Sequence, residues 1–269
     1  MSFLLLIYIS YDILYLLLED DKMKVLITGA SSGIGRSMAI YMNSLGYDLV
    51  LVARNREKLE ELKNSLDGHV EIIVLDLSEY NNCIKLHKMV RNVDILINNA
   101  GFGLFGNFDE VDLGKEIKMI ETNVIAVHTL MKLYLQDMLK ADSGRILNVA
   151  SIAGFMPGPL LDTYYATKNY VVRLSQGIRE ELRRKKSHVS ISVLCPGPVK
   201  TNFDNVAGVN FSLRGMNSDD VAKYAVDRML KGKFVIIPRF SIKCLRFVSK
   251  ISPDWLVVRF VYLSQKRKK

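Results

Sequence analysis

From Lys24 onward the chain alternates between short, almost wholly apolar runs and longer stretches in which apolar positions recur every three or four residues. The runs Lys24–Thr28, Asp48–Ala53, Val70–Leu75, Asp94–Asn98, Arg145–Ala150, Val189–Leu194 and Lys233–Pro238 are rich in Val, Ile and Leu. Continuous rather than alternating apolarity marks strands covered on both faces, as in a parallel sheet. The segments around Ile34–Leu45, Arg56–Leu66, Tyr80–Val90, Leu113–Lys140, Tyr164–Lys186 and Ser218–Leu230 carry the helical period instead. Ser218, followed by Asp219 and Asp220, is the expected N-cap of the last of these. Such a β-α-β-α order predicts an α/β fold, a doubly wound parallel sheet of about seven strands with helices on both faces. No internal repeat and no Pro/Gly/Ser-rich linker interrupts the pattern. Residues 23–240 are therefore expected to form a single domain, preceded by an apolar leader (1–22) and followed by a basic amphipathic tail (241–269).

Three groups of residues add chemistry to this pattern. Directly after the first strand comes Thr28-Gly29-Ala30-Ser31-Ser32-Gly33-Ile34-Gly35, opening onto a helix. Glycines there permit a tight turn and close backbone approach to a pyrophosphate, which the helix N-terminus attracts. The spacing is G-x-x-x-G-x-G rather than G-x-G-x-x-G, and a Gly cluster after a strand also suits a plain turn. Asn98-Asn99-Ala100-Gly101 ends the fourth strand, on the side of an open sheet where ligands bind; Asn side chains capping a turn would explain it equally. Ser151 ends the fifth strand, and Tyr164 and Lys168 follow at Y-x-x-x-K spacing. That spacing places ammonium and phenol on one helix face. Free tyrosine titrates near pH ~10, too high for a base at neutral pH, and a nearby cation lowers that value. A Ser hydroxyl can hold and polarise a carbonyl oxygen. The Tyr and Lys alone occur by chance in many helices.

Together these residues resemble the short-chain dehydrogenase/reductase family, in its short single-domain branch, from about Lys24 to Pro238. The resemblance includes the glycine motif with Thr28, Asp76-Leu77 after the third strand, the Asn98–Gly101 tetrad, Asn123, Ser151, Tyr164, Lys168, Pro196-Gly197 and Thr201. It implies a Rossmann-type fold and hydride transfer between a nicotinamide cofactor and a small-molecule carbonyl or alcohol. By resemblance, Tyr164 is the general acid in reduction and the base in oxidation, Lys168 lowers its pKa and binds the nicotinamide ribose, Ser151 orients the substrate oxygen, and Asn123 holds a water. Cofactor contacts are implied at Thr28, Gly29, Ser31, Ser32, Gly33, Ile34 and Gly35, with Asp76 and Leu77 beside the adenine. Asn98, Asn99, Ala100 and Gly101 are implied to line the cleft, and Pro196, Gly197, Val199 and Thr201 to lie near the carboxamide. A homo-oligomer, dimer or tetramer, is also implied. Tyr165 lacks a lysine four positions on and is read as a packing or pocket residue.

The acid that pairs with an NAD ribose should stand at the end of the second strand. That place reads Val52-Ala53-Arg54-Asn55, and Asp48 lies at the strand's other end. Arg54 can grip a 2′-phosphate instead, so NADP(H) is expected over NAD(H). A sugar-nucleotide epimerase usually carries a longer C-terminal region than the roughly 30 residues after the last strand, and a non-catalytic nucleotide-binding regulator is expected to lack the Tyr or Lys.

Charge changes the picture only once it is located. The net charge is +9, yet eleven Lys/Arg and one acid fall between Lys231 and Lys269, while the rest carries 26 basic and 27 acidic side chains. A neutral body with a basic tail argues against a nucleic-acid partner. In that tail, Leu245, Phe247, Val248, Ile251, Trp255, Leu256, Val258, Phe260 and Leu263 alternate with cations. They are expected either to make peripheral membrane contact or to pack on the domain or a neighbouring subunit. The leader holds sixteen largely apolar positions, 3–18, including Asp12. It is short for a spanning helix and lacks a signal-peptide pattern. A superfluous stretch ahead of a start at Met23, a weak anchor and an added packing helix remain open. Cys83, Cys195 and Cys244 cannot all pair and are read as small buried hydrophobes of a reduced, cytoplasmic chain. His69, His87, His128 and His188 lack metal-ligand spacing, and no metal is expected. The segment from Thr201 to Asn217, with Phe203, Val206, Val209, Phe211 and Leu213, is expected to cover an apolar substrate.

Overall fold

The computed structural model describes residues 22–201 and 215–266. Seven parallel strands lie in the order β3-β2-β1-β4-β5-β6-β7. They are β1 Lys24–Thr28, β2 Asp48–Ala53, β3 Val70–Val74, β4 Ile95–Asn98, β5 Arg145–Val149, β6 Ser190–Leu194 and β7 Val235–Ile236. The helices between them are α1 Gly33–Ser44, α2 Arg56–Asn64, α3 Tyr80–Met89, α4 Leu113–Ile120, α5 Val127–Ala141, α6 Asp162–Arg184 and α7 Ser218–Leu230. This is the doubly wound architecture expected from the apolar pattern, of the Rossmann type that the resemblance implies.

The continuous apolarity of the strands has a direct packing cause. Successive strand residues point to opposite faces, and each face is covered. Leu26, Val50 and Val52 join Cys83, Leu86, Leu130 and Val172 of α3, α5 and α6 in one core. Their neighbours Val25, Ile27, Leu49 and Leu51 join Met38, Met42, Leu59 and Val226 of α1, α2 and α7 in the other. β1 pairs with β2 on one side and β4 on the other, so the strand order reverses between β1 and β4. A crevice opens beyond the carboxyl ends at that point.

Four details depart from the sequence reading. The long helix expected over Leu113–Lys140 is broken by a π-helical stretch, Glu121–Ala126. Wider turns of this kind insert one residue into the helix and re-aim its neighbours. The N-cap of α7 is Asn217, whose side chain accepts from the Asp219 amide at 2.8 Å. Ser218 lies instead within 3.0 Å of the Ser37 hydroxyl on α1. β7 shrinks to two residues, pairing only Val193 with Val235 and Leu194 with Ile236. Cys83 and Cys195 are buried, but Cys244 is exposed.

The chain continues through α8, Phe240–Ile251, and α9, Asp254–Lys266. Pro253 stands between them, where the chain turns. Ile242 of α8 joins the first core. Val257 and Val261 of α9 are buried with Ala153, Met156, Leu161 and Tyr165. Among the described residues no helix is long and apolar enough to cross a membrane.

Candidate active site

A cavity of about 660 Å³ lies beyond the carboxyl ends of the strands and is lined from Arg54 and Asp76 to Tyr164 and Gln265. Its floor is the turn from β1 into α1. Gly29 and Gly33 have φ of +66° and +55°, the left-handed region that side chains avoid. Gly35 is required for space, since a Cβ there would collide with the Asn99 side chain and the Gly29 carbonyl. Ser32 precedes α1 without a side-chain capping bond, and the first turn holds no acid. The leading amides and the positive end of the helix dipole therefore face the cavity with no competing carboxylate.

Thr28 is 1% exposed and acts as a strut rather than a contact surface. Its hydroxyl accepts from the Asn99 and Ala100 amides at 3.0 and 3.1 Å and donates to the Ile97 carbonyl. The Asn99 side chain donates to the Thr28 and Gly29 carbonyls at 3.1 and 3.0 Å. The β1 turn and the β4 end are thus locked together across the switch point. Ser31, Ser32, Gly33, Ile34, Asn99, Ala100 and Gly101 line the cavity, as do Pro196, Gly197, Val199 and Thr201. Asn98 does not: it points inward, 2% exposed. It donates to the Asn148 Oδ1 at 2.9 Å, tying β4 to β5 beneath the cleft. Its place on the last residue of a strand fixes that direction, because side chains alternate between faces.

Ser151, Tyr164 and Lys168 meet on one wall. Ser151 follows β5 and its hydroxyl accepts from the Ala153 amide at 3.2 Å. It also hydrogen-bonds the Tyr164 side chain. The Lys168 Nζ is 5.8 Å from the centre of the Tyr164 ring and donates to the Val149 carbonyl at 2.9 Å. Burial pushes the Tyr164 phenol above its ordinary range, with the Ser151 bond opposing. Burial also pulls the Lys168 ammonium down to about 8. The direction at Tyr164 is opposite to that expected from Y-x-x-x-K spacing, because desolvation disfavours the phenolate more than its surroundings favour it.

Asn123 sits in the π-helical stretch and is fully buried. Its Oδ1 accepts from the Phe102 amide at 3.1 Å, and its Nδ2 donates to the Phe102 carbonyl at 2.8 Å and the Thr167 hydroxyl at 3.1 Å. It secures the segment after β4 to α6 behind the wall. Gly101 lies against it, since a Cβ there would fall 2.9 Å from Asn123 Oδ1 and 3.3 Å from Lys168 Nζ.

At the other end of the cleft, Arg54 and Asn55 leave β2 and Asp76 and Leu77 leave β3. Arg54 faces Asp76 at 3.9 Å, both side chains well exposed. Asp76 also accepts from the Ser78 amide and hydroxyl at 3.0 and 2.9 Å. No carboxylate stands at the end of β2 itself.

The tail contributes lining that the motifs did not foretell: Ile242, Leu245, Phe260, Val261, Ser264 and Gln265. Gln265 is 2% exposed and donates to the Tyr165 hydroxyl at 2.6 Å. The available signal was the spacing of Val257, Val261 and Gln265, one stripe of a helix. The segment expected to cover the substrate, with Phe203 to Leu213, lies outside the described residues. His87 is part of the scaffold, bonded to Asp137 at 2.8 Å and edge-on to Tyr134.

A parallel sheet with a glycine-lined helix N-terminus at its switch point defines a nucleotide-binding α/β protein. The family model described as short chain dehydrogenase matches residues 23–208. The human dehydrogenase/reductase SDR family member 7 is 32% identical over 226 residues, covering 79% of this chain and 66% of that protein, just under two thirds of its length. A solved short-chain dehydrogenase from Sphingobium yanoikuyae in complex with NADPH aligns with a TM-score of 0.76 at 29% identity, covering 85% of this chain and 94% of that one. A short chain dehydrogenase/reductase from Burkholderia phymatum in complex with NAD gives a TM-score of 0.77 at 25% identity, over 84% and 92%. The chain belongs to the short-chain dehydrogenase/reductase family. It is an oxidoreductase of that family, which uses a nicotinamide cofactor.

Proposed function

We propose that the protein is an NADP(H)-dependent oxidoreductase acting on a ketone or secondary alcohol of apolar character. The observation that carries this reading is the convergence of Ser151, Tyr164 and Lys168 on the wall of a cleft whose floor is the uncapped start of α1. Ser31, Ser32, Gly33 and Ile34 would hold the pyrophosphate, Asp76 and Leu77 the adenine, and Pro196, Gly197, Val199 and Thr201 the carboxamide end. The bound nicotinamide supplies or accepts the hydride.

The chain's own groups handle the proton. At neutral pH the Tyr164 phenol is protonated, as any phenol titrating near pH ~10 is, and burial pushes its pKa further up. It is then in the form that donates to a carbonyl oxygen gaining charge, while the Ser151 hydroxyl positions that oxygen. The phenolate left behind is stabilised by the Lys168 ammonium and regains its proton from solvent. In alcohol oxidation the same proton moves back. Asn123 acts as a positioning residue, through Phe102 and Thr167. Met156, Leu161, Tyr165 and Phe260 make the substrate end of the cleft largely apolar. Arg54 favours NADP(H), since its planar donor fork suits a 2′-phosphate and no acid at the end of β2 offers a partner for a ribose 2′-hydroxyl.

NADPH oxidation with a panel of apolar ketones, run on wild type and Tyr164→Phe, tests the reading. Turnover in the variant should fall at least ~10²-fold with NADPH binding nearly intact. Near-wild-type turnover in Tyr164→Phe would overturn it.

A further inference from the structure

The outer sides of α8 and α9 concentrate large exposed apolar side chains. On α8, Phe247 and Ile251 are 65% and 67% exposed; on α9, Trp255 is 67% exposed, and the helical spacing puts the exposed Leu256, Tyr262 and Leu263 on its side of the helix. Exposed apolar side chains clustered in this way mark an interaction surface. Only one stripe of α9, Val257, Val261 and Gln265, is used against the domain. Lys243, Lys250, Arg259 and Lys266 stand among the exposed apolar residues, with Asp254 the single acid of the two helices. The sequence then ends Lys266-Arg267-Lys268-Lys269.

We propose that this face docks on an anionic lipid surface, lying in the headgroup region and not crossing it. Apolar side chains ringed by cations, on a body without net positive charge, match the chemistry of such a surface and not that of a protein core. A protein partner would leave these cations desolvated unless it supplied acids for them, and α8 and α9 of a second copy supply only Asp254. Neither helix is long enough to span a bilayer. The position adds a consequence for entry: Phe260 is 61% exposed and also lines the cavity. A docked molecule therefore opens its substrate end toward the lipid, where apolar ketones and alcohols concentrate. The docking itself does not depend on the catalytic reading.

Trp255 is the chain's one tryptophan and reports on this face directly. With full-length protein and vesicles of equal phosphatidylglycerol and phosphatidylcholine, its emission should shift to the blue and be quenched by brominated lipid. Pure phosphatidylcholine should give little shift, and about 0.5 M NaCl should weaken binding roughly tenfold. The double variant Ile251→Ser/Leu263→Ser, confirmed as folded by its thermal transition, should lose the shift. An emission unmoved by anionic vesicles overturns the proposal. So does an emission already blue in buffer and indifferent to lipid, which would mean that the leader or a second copy covers the face. Sedimentation then separates these, since only a dimer through this face is broken by the double variant.

Discussion

Arg54 leaves the end of β2 with its side chain 72% exposed and 3.9 Å from Asp76. An ion pair so open to solvent contributes about 0–1 kcal/mol, so little holds the guanidinium away from an incoming phosphate. Charge-assisted bonds to a 2′-phosphate are worth about 1.5–3 kcal/mol. Arg54→Asp should therefore weaken NADPH at least roughly tenfold, through lost bonds and new repulsion, and leave NADH unchanged or tighter. Fluorescence titration of both cofactors against both proteins checks this. An equal loss for NADPH and NADH would remove Arg54 from cofactor selection. The place of Arg54 was legible from sequence because it depends only on which residue follows one particular strand. The Tyr164 titration was not, because it depends on how much of the molecule surrounds the phenol.

Among the elements, α7 shows how a local motif is decided by its neighbour. Asn217 and Ser218 are both good capping residues, and their order alone does not say which begins the helix. In the fold, α1 lies against the start of α7, and the Ser37 hydroxyl takes up Ser218 at 3.0 Å and Asp219 at 2.6 Å. Asn217 is left to accept from the Asp219 amide. Asn217→Ala should cost about 1 kcal/mol, whereas Asn217→Asp should lie within a few tenths of wild type because it keeps the acceptor and suits the dipole. Urea unfolding of the two variants measures both. Equal losses would show that the Asn217 side chain is not the cap. The π-helical stretch at Asn123 is likewise a tertiary choice, since the apolar spacing of Leu113–Lys140 reads as one regular helix.

For the whole molecule, the buried Lys168 links the site to stability. Its pKa is pulled from 10.5 to about 8 by burial. Below pH 8 the ammonium is charged in both folded and unfolded chains, and burying it costs stability. Between about 8 and 10.5 the unfolded chain holds the proton and the folded one has released it, so stability gains from this group as pH rises. Lys168→Met removes the cost but leaves the Val149 carbonyl without its donor. The variant should be more stable than wild type at pH 7, by on the order of 1–3 kcal/mol, and the difference should shrink toward pH 10. It should also lose turnover, a stability gain at the expense of function. Urea denaturation at pH 7 and pH 10 measures the slope. A variant less stable at pH 7 would show that the buried ammonium is compensated.

Sequence by itself determined the seven strands, all but one of the helices between them as single elements, and the family. Each of these follows from local periodicity or from an ordered set of short motifs, and neither depends on where distant segments meet. Only the tertiary structure decided what Asn98 and Thr28 do. Both belong to cleft motifs, yet each side chain bonds a neighbouring strand: Asn98 joins Asn148 on β5, and Thr28 joins Ile97 on β4. The tertiary structure also decided which part of the tail turns inward. Residues 240–266 are amphipathic in sequence under either reading. Val257, Val261 and Gln265 pack because Met156, Leu161 and Tyr165, about a hundred positions earlier, present them an apolar seat. No local pattern records that meeting, since it is made by the closing of the sheet and not by the helix itself.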